Sequence, residues 1–229
     1  MSPAIRKSGV VLGGFLVFLL SYWLGADYLT PIILTVCSDV PWITAASLSS
    51  TIFGFIVAIA YVAPRTASIP RFELTITMAL VTITGVIVTW FIGSLGGAVF
   101  FGEPSLLFQE TNKITQPVHY YLTALLIIGF GPLLEEILYR GYFFEILKEA
   151  SSETIAMVVS TLLFVIAHAD ERVPGLALFF IGLHSIVFTF VYIKGGIVAS
   201  VLTHAFANWY VFQSSMQIEA VKKAISEFY

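Results

Sequence analysis

Long runs of apolar residues, separated by short polar segments, follow one another along most of the chain. A helix that crosses a membrane needs about 20 mostly apolar residues. The pattern predicts spans at residues 9–24, 41–62, 74–99, 119–148, 152–169, 175–193 and 196–212. Residues 28–37 are apolar but short and contain Pro31, which favours an interfacial or re-entrant segment. The predicted fold is therefore an all-α polytopic bundle of about seven or eight transmembrane spans.

The composition agrees with a membrane protein. Hydrophobic residues make up 58% and charged residues only 11% of the 229 residues, whereas soluble domains contain about 25% charged residues. We expect an integral, multi-pass protein of the cell membrane, surrounded by the lipid bilayer. The net charge of −3 and the lack of a basic block argue against nucleic acid as a partner. The single cysteine excludes an intramolecular disulfide.

The two ends of the chain carry signals of their own. Arg6 and Lys7 precede the first apolar run, and no convincing cleavage site follows it. This run is interpreted as a signal anchor with its basic end in the cytoplasm, with a cleaved signal peptide as the alternative. Residues 214–229 place apolar side chains such as Val221 and Ile225 at helical spacing, which predicts an amphipathic helix on the membrane surface.

The predicted span at 119–148 is unusual because it contains charges. Glu135, Glu136 and Arg140 lie in an otherwise apolar stretch, and a charge at bilayer depth costs roughly 2.5–3.5 kcal/mol on insertion scales. Such residues usually face a cavity and have a function. Pro132 has no amide hydrogen and is expected to kink or restart the helix. Both acidic residues then lie near a helix N-terminus, where the macrodipole favours negative charge.

Three pairs of side chains lie four residues apart, on one face of their helices. They are Glu136 with Arg140, Phe164 with His168, and His204 with Asn208. Glu136 is expected to form a structural ion pair with Arg140, because an unpaired buried charge is costly. Glu135 points about 100° away on the helix and has no such local cation, which suits a general base that takes a proton from water. The alternative for Glu135 is a carboxylate that lines a pore or bridges two helices.

The histidines differ in how strongly they indicate a site. His204 and Asn208 lie in the middle of a predicted span, and polar groups away from water need partners, so the two imply a shared network or cavity. His168, taken alone, is more typical of an interfacial or hydrogen-bonded core residue. His119 and His184 are expected to lie outside the catalytic set, and His184 to hydrogen-bond a neighbouring helix.

The three pairs, in this order and in successive apolar helices, resemble the motifs of the CAAX protease and bacteriocin-processing (CPBP, or Abi) family. This family contains the type II CAAX prenyl endopeptidases, and the resemblance covers residues 123–212. It implies a helical intramembrane fold with a cavity in which Glu135 and His168 activate a water. It also implies that His204 and Asn208 stabilise the oxyanion. The supporting residues that it implies are Glu136, Arg140 and Phe164.

The resemblance also implies a substrate and a division of the chain. The substrate is expected to be a prenylated or membrane-proximal peptide that is cleaved near its C-terminus. Residues 118–213 then form a catalytic core of this family, after N-terminal spans at 1–117 and before the amphipathic tail. All three parts belong to a single membrane domain, 1–229.

No metal or other cofactor is expected, because the HExxH motif is absent and Asn208 suits an oxyanion role. A catalytic zinc held by Glu135, His168 and His204 is the alternative. Two other functions remain open. One is a proton- or cation-coupled transporter or channel that uses Glu135 and Glu136. The other is a membrane protein of the bacteriocin self-immunity type.

Overall fold

The structure, a computed structural model, describes residues 3–24, 28–36, 40, 44–49, 52, 75–99, 117–169, 173 and 175–227. Every regular element in these ranges is helical, as predicted. The longer α-helices are α1 (Pro3–Leu24), α2 (Thr30–Val36), α3 (Ile76–Val99), α4 (Pro117–Ala124), α5 (Gly131–Leu138), α6 (Glu145–Ala150), α7 (Glu153–Ala167) and α8 (Gly175–Glu227). Two π-helical segments, Leu125–Phe130 and Tyr139–Phe144, join α4 to α5 and α5 to α6. Together these five pieces make one long broken helix, α4 to α6.

Three stretches are long and apolar enough to cross a membrane. They are Ile76–Gly97, with 22 residues, Val118–Ala150, with 33, and Gly175–Ser214, with 40. Helix α7 is also apolar but has 15 residues. The predicted number of seven or eight spans is not confirmed, since most of the predicted span at 41–62 lies outside the described residues. The tail is helical to Glu227, and its amphipathic character stays a prediction.

The longest apolar stretch folds back on itself at Gly196. This residue has φ +78°, a backbone conformation that residues with a side chain rarely adopt. The hydroxyl of Ser200 donates to the carbonyl of Phe188 over 2.9 Å, so residues on both sides of the turn lie next to each other. Helix α8 therefore consists of two antiparallel halves, α8a (175–195) and α8b (197–227), as the two separate spans predicted in this region require.

Glycines in α3 allow close packing against both halves of α8. A Cβ on Gly85 would lie 2.7 Å from Val191 Cγ2 and 2.9 Å from Thr203 Oγ1, and one on Gly93 would lie 2.9 Å from the Tyr210 ring. In a membrane, helix association depends on such close packing, because lipid tails are as apolar as the side chains. The half of α8 that carries two of the predicted site residues is thereby held against α3.

Pro132 explains why the broken helix is not a regular α-helix. Its nitrogen carries no hydrogen, and its ring clashes with the carbonyl four residues earlier. The wider π register precedes it, with the amide of Gly131 donating to the carbonyl of Leu126, five residues back. The next bond of this register would need an amide hydrogen on residue 132, so the π segment ends at Phe130. The α-helix restarts here, as predicted, with α5, which has Pro132 in its first turn.

Aromatic side chains surround the second π segment. Tyr139, Phe143 and Phe144 are fully buried. The ring of Phe143 lies edge-on to Phe15 of α1, with centroids 6.1 Å apart, and that of Tyr139 lies edge-on to Phe164 of α7, with centroids 5.0 Å apart. This core joins α1 and α7 to the broken helix on the side where the predicted site residues lie.

Candidate active site

A buried ion pair forms the structural base of the site. Glu136 in α5 and Arg140 in the π segment that follows are both completely buried. Arg140 Nη1 donates to Glu136 Oε1 over 2.9 Å, which is the pairing that their spacing predicts. Charges taken out of water are tolerated when they are paired and hydrogen-bonded. The two side chains therefore hold each other in place.

The other donors of Arg140 bond to α8a. Its Nη2 donates to the carbonyl of Ser185 over 3.0 Å and to the hydroxyl of the same residue over 2.8 Å. Its Nε lies 3.4 Å from Thr189 Oγ1. The guanidinium carbon lies 4.8 Å from the ring centroid of Phe164 in α7 and 5.5 Å from that of Phe188 in α8a. Arg140 thus connects the broken helix to two neighbouring helices.

Glu136 also orients His204. Its Oε1 lies 2.8 Å from His204 Nδ1, and its Oε2 accepts a hydrogen bond from the hydroxyl of Ser200. A carboxylate that is paired with arginine accepts hydrogen bonds, so the ring hydrogen of His204 lies on Nδ1. The ring is also stacked on Phe188, with centroids 4.3 Å apart. In the neutral ring, Nε2 therefore carries a lone pair and points away from Glu136.

His168 is held in the same tautomer by a different group. It follows the last turn of α7, and its Nδ1 lies 2.8 Å from the carbonyl oxygen of Phe164. Because this oxygen can only accept, the ring hydrogen of His168 also lies on Nδ1. The rings of Phe164 and His168 pack together with centroids 4.4 Å apart. The Nε2 of His168 is therefore the nitrogen available to the site.

Glu135 lies between the two imidazoles. Its Oε2 is 3.6 Å from His204 Nε2 and 4.0 Å from His168 Nε2, separations that are too long for a hydrogen bond. This oxygen is buried and has no hydrogen-bond partner in the part of the chain that the structure describes. The side chain as a whole is 27% exposed and that of His168 34%, whereas His204 is buried. The site thus has one open edge and one closed side.

Asn208 lies one turn after His204 on α8b but has a different partner. Its Nδ2 donates to the carbonyl of Ile127 over 2.9 Å. Ile127 belongs to the first π segment, which precedes the helix that carries Glu135. The structure therefore brings Glu135, His168 and His204 together, and it bonds Asn208 to the backbone beside them.

A family model described as type II CAAX prenyl endopeptidase Rce1-like matches residues 117–210. This segment is similar to that family. The resemblance that the three residue pairs predict is thereby confirmed, and the matched segment contains all seven predicted site residues. The match is to a peptidase family, and together with the three long apolar helices it indicates a membrane protein. The chain has no significant match among curated proteins or among solved structures.

The hydroxyl groups that hold the site together were not predicted from the sequence. Ser185 and Thr189 contact Arg140, and Ser200 bonds to the buried carboxylate. A signal for them exists in the sequence. Ser185 and Thr189 are four residues apart in an apolar helix, and Ser200 lies four residues before His204. This is the same spacing that indicates the other polar pairs.

The two remaining histidines of the matched segment have other surroundings. His184 Nε2 lies 3.3 Å from the carbonyl oxygen of Thr89 in α3, and its Nδ1 lies 2.9 Å from that of Phe180. The predicted contact of His184 with a neighbouring helix is therefore present. His119 is buried near the start of α4.

Metal binding was a predicted alternative for this site. Within the ranges that the structure describes, no group of three or more His, Cys, Asp and Glu residues is arranged to hold a metal ion. The alternative in which Glu135, His168 and His204 bind zinc stays a prediction, and a chelator tests it directly.

Proposed function

We propose that the chain is an intramembrane, glutamate-dependent endopeptidase of the cell membrane. It hydrolyses a peptide bond near the C-terminus of a prenylated or membrane-proximal substrate. The observation that carries this proposal is the position of Glu135 Oε2, a buried carboxylate oxygen without a hydrogen-bond partner in the described structure, facing Nε2 of two imidazoles. A carboxylate next to a site for water is the arrangement that a general base needs.

The proposed first step is the activation of water. A water between Glu135 and His168 transfers a proton to the carboxylate while its oxygen attacks the carbonyl carbon of the substrate. The C=O double bond opens, and its oxygen becomes the oxyanion of a tetrahedral intermediate. When the C–N bond breaks, protonated Glu135 returns the proton to the leaving amine. The base is thereby regenerated, and atoms and charges balance.

The oxyanion needs hydrogen-bond donors at the place where negative charge develops. His204 is suited to this role when protonated, since Glu136 holds the hydrogen on Nδ1 and the second hydrogen then lies on Nε2, which faces the site. Asn208 contributes its second amide hydrogen, the first being bonded to Ile127. Removal of one such donor typically lowers kcat about 10²–10³-fold.

The exposure of the site supports a substrate that is held at the membrane. Glu135 and His168 form the open edge of the site. Helix α7, which ends at this edge, exposes apolar side chains such as Leu162 and Ile166. A prenyl chain in the surrounding lipid would keep the adjacent peptide bond at this depth, and each buried CH₂ contributes about 0.8 kcal/mol to such anchoring.

Cleavage of a matched pair of peptides tests this proposal. Purified protein in detergent is incubated with a farnesylated CAAX peptide and with the same peptide unfarnesylated, each with and without a chelator, and products are identified by mass spectrometry. The proposal predicts loss of the C-terminal tripeptide from the farnesylated peptide, little cleavage of the other, and no effect of the chelator. Absence of cleavage in all samples contradicts it. Loss of cleavage with chelator, restored by zinc, replaces the proposed chemistry with the zinc alternative.

A further inference from the structure

The side-chain amide of Asn208 is bonded to a backbone carbonyl that a proline leaves without its expected donor. In the π segment before Pro132, each amide hydrogen bonds to the carbonyl five residues earlier, as Gly131 does to Leu126. The next carbonyl in this order belongs to Ile127, and its donor would be the nitrogen of residue 132. That nitrogen carries no hydrogen. Asn208 Nδ2 lies 2.9 Å from this carbonyl oxygen and takes the place of the missing donor.

Such a replacement matters because the carbonyl belongs to a stretch, Val118–Ala150, that is long and apolar enough to cross a membrane. In the bilayer no bulk water reaches a backbone group, so a carbonyl that loses its partner pays the full cost of desolvation. In membrane helices, neighbouring helices and polar side chains supply the partners that proline removes. Asn208 provides such a partner from α8b, which is itself packed on α3.

The bond has a consequence for the site because of where it lies. His204 and Asn208 are one turn apart on α8b, and they contact the broken helix on opposite sides of Pro132, His204 at Glu136 and Asn208 at Ile127. The two contacts therefore fix both sides of the break. Since the π register sets the rotation of the turns that follow it, the same bond helps to set the direction of the carboxylates on α5.

We propose that Asn208 is a positioning residue that caps the carbonyl of Ile127, keeps the first π segment in register and so directs Glu135 toward the two imidazoles. The effect on catalysis rests on the proposed function, whereas the cap itself is a property of the fold. The second amide hydrogen of Asn208 stays available for an oxyanion.

A thermal double-mutant cycle tests the cap. The full chain in detergent is compared as wild type, Asn208→Ala, Pro132→Ala and the double variant. Asn208→Ala is expected to lower Tm by about 2–12 °C, the range that corresponds to one unsatisfied buried group in a chain of this size. In the Pro132→Ala background the loss is expected to be less than half as large, because residue 132 regains its amide hydrogen. Equal losses of Tm in both backgrounds overturn the proposal.

A matched variant distinguishes the cap from an ordinary hydrogen bond donated by a side-chain amide. Gln213, also on α8b, donates from its side-chain amide to the hydroxyl of Tyr120 over 3.2 Å. A hydroxyl can rotate toward another partner, whereas a backbone carbonyl cannot. Gln213→Ala is therefore expected to change Tm by less than half as much as Asn208→Ala. A loss as large as that of Asn208→Ala overturns the assignment of a special role to the Ile127 carbonyl.

The pH dependence of peptide cleavage tests the positioning of Glu135. Loss of an oxyanion donor alone lowers kcat by the same factor at every pH. A displaced general base also changes its interaction with the imidazoles, so Asn208→Ala is expected to change the shape of the pH profile of kcat. A profile that keeps its shape overturns the positioning role. The thermal cycle needs no activity, so its result stands even if the protein cleaves no peptide.

Discussion

Glu135 and Glu136 are neighbours in sequence, and the helix gives them different surroundings. Glu136 is completely buried, and its carboxylate bonds to Arg140, Ser200 and His204. Glu135 is partly exposed, and its buried oxygen has no hydrogen-bond partner among the described residues. At the scale of single residues, one acid is part of the structure and the other is available for a proton. The two substitutions to glutamine should therefore have different consequences.

Glu136→Gln should destabilise the fold. The substitution leaves Arg140 buried without its counterion, and breaking one side of a buried pair costs about 3–5 kcal/mol. The free energy of unfolding, measured by chemical denaturation in detergent, should fall by this amount. Lys148→Ala is the matched control, since it removes an ion pair to Glu153 at 3.5 Å between side chains that are 41% and 52% exposed. Such a pair contributes less than about 1 kcal/mol, and similar losses in both variants would contradict the structural role of Glu136.

At the scale of elements, the close contact of α3 with α8 depends on glycine at defined positions. A Cβ on Gly85 would overlap Val191 and Thr203, whereas a Cβ on Gly97 would meet no atom of the described residues within 4 Å. Both residues lie in the same helix, so they allow a comparison in which the change is the same and the surroundings differ.

Gly85→Ala should therefore lower the free energy of unfolding, because overpacking a close helix contact typically costs about 1–3 kcal/mol. Gly97→Ala should be neutral or slightly stabilising, because alanine is the better helix former by about 1 kcal/mol. Denaturation of the two variants in the same detergent gives the comparison. A neutral Gly85→Ala would show that the two helices do not approach each other as closely as described.

The elements also show what the sequence can reveal and what it cannot. Pro132 predicts a restart of the helix by its own backbone chemistry, and the restart is present. The turn at Gly196 lies at the predicted boundary between the spans 175–193 and 196–212. The π register is not visible in the sequence, since widening a helix by one residue leaves the hydrophobic pattern almost unchanged. Helical spacing shows that His204 and Asn208 share a face. It does not show that one meets a carboxylate and the other a backbone carbonyl, because tertiary packing decides this.

At the scale of the whole molecule, the path of the chain makes a prediction about topology. The broken helix α4 to α6 contains an apolar stretch of 33 residues, about 50 Å at 1.5 Å per residue, which is enough to cross a bilayer. The turn after α6 and the turn at Gly196 lie close together, since Glu153 and Lys194 line the same surface pocket. Both turns should therefore face the same side of the membrane.

Cysteine labelling tests this arrangement. In a Cys37→Ser background, Ser151→Cys and Lys194→Cys should react with a membrane-impermeant maleimide from the same side of sealed vesicles. Val118→Cys, at the exposed beginning of the broken helix, should react from the opposite side. Labelling of residues 151 and 194 from different sides would contradict the described path of the chain.

Helical spacing along the sequence does not predict that three helices meet at one site. Spacing assigned the polar residues of α5, α7 and α8b to faces of their own helices. It did not establish that these faces point toward one another. The family resemblance supplied that expectation, and the distances from Glu135 to the two imidazoles agree with it. The buried hydroxyls of α8a were not predicted, because serine and threonine also occur in membrane helices for packing alone.

The most direct test of the account is the rate of peptide cleavage by Glu135→Gln. This variant keeps the size of the side chain and removes the base, and it breaks no hydrogen bond of the buried oxygen. With the protein in proteoliposomes and a farnesylated CAAX peptide as substrate, kcat should fall by at least about 100-fold, while Tm stays within a few degrees of the wild type. A folded Glu135→Gln variant that cleaves the peptide at the wild-type rate would contradict the role of Glu135 as the general base.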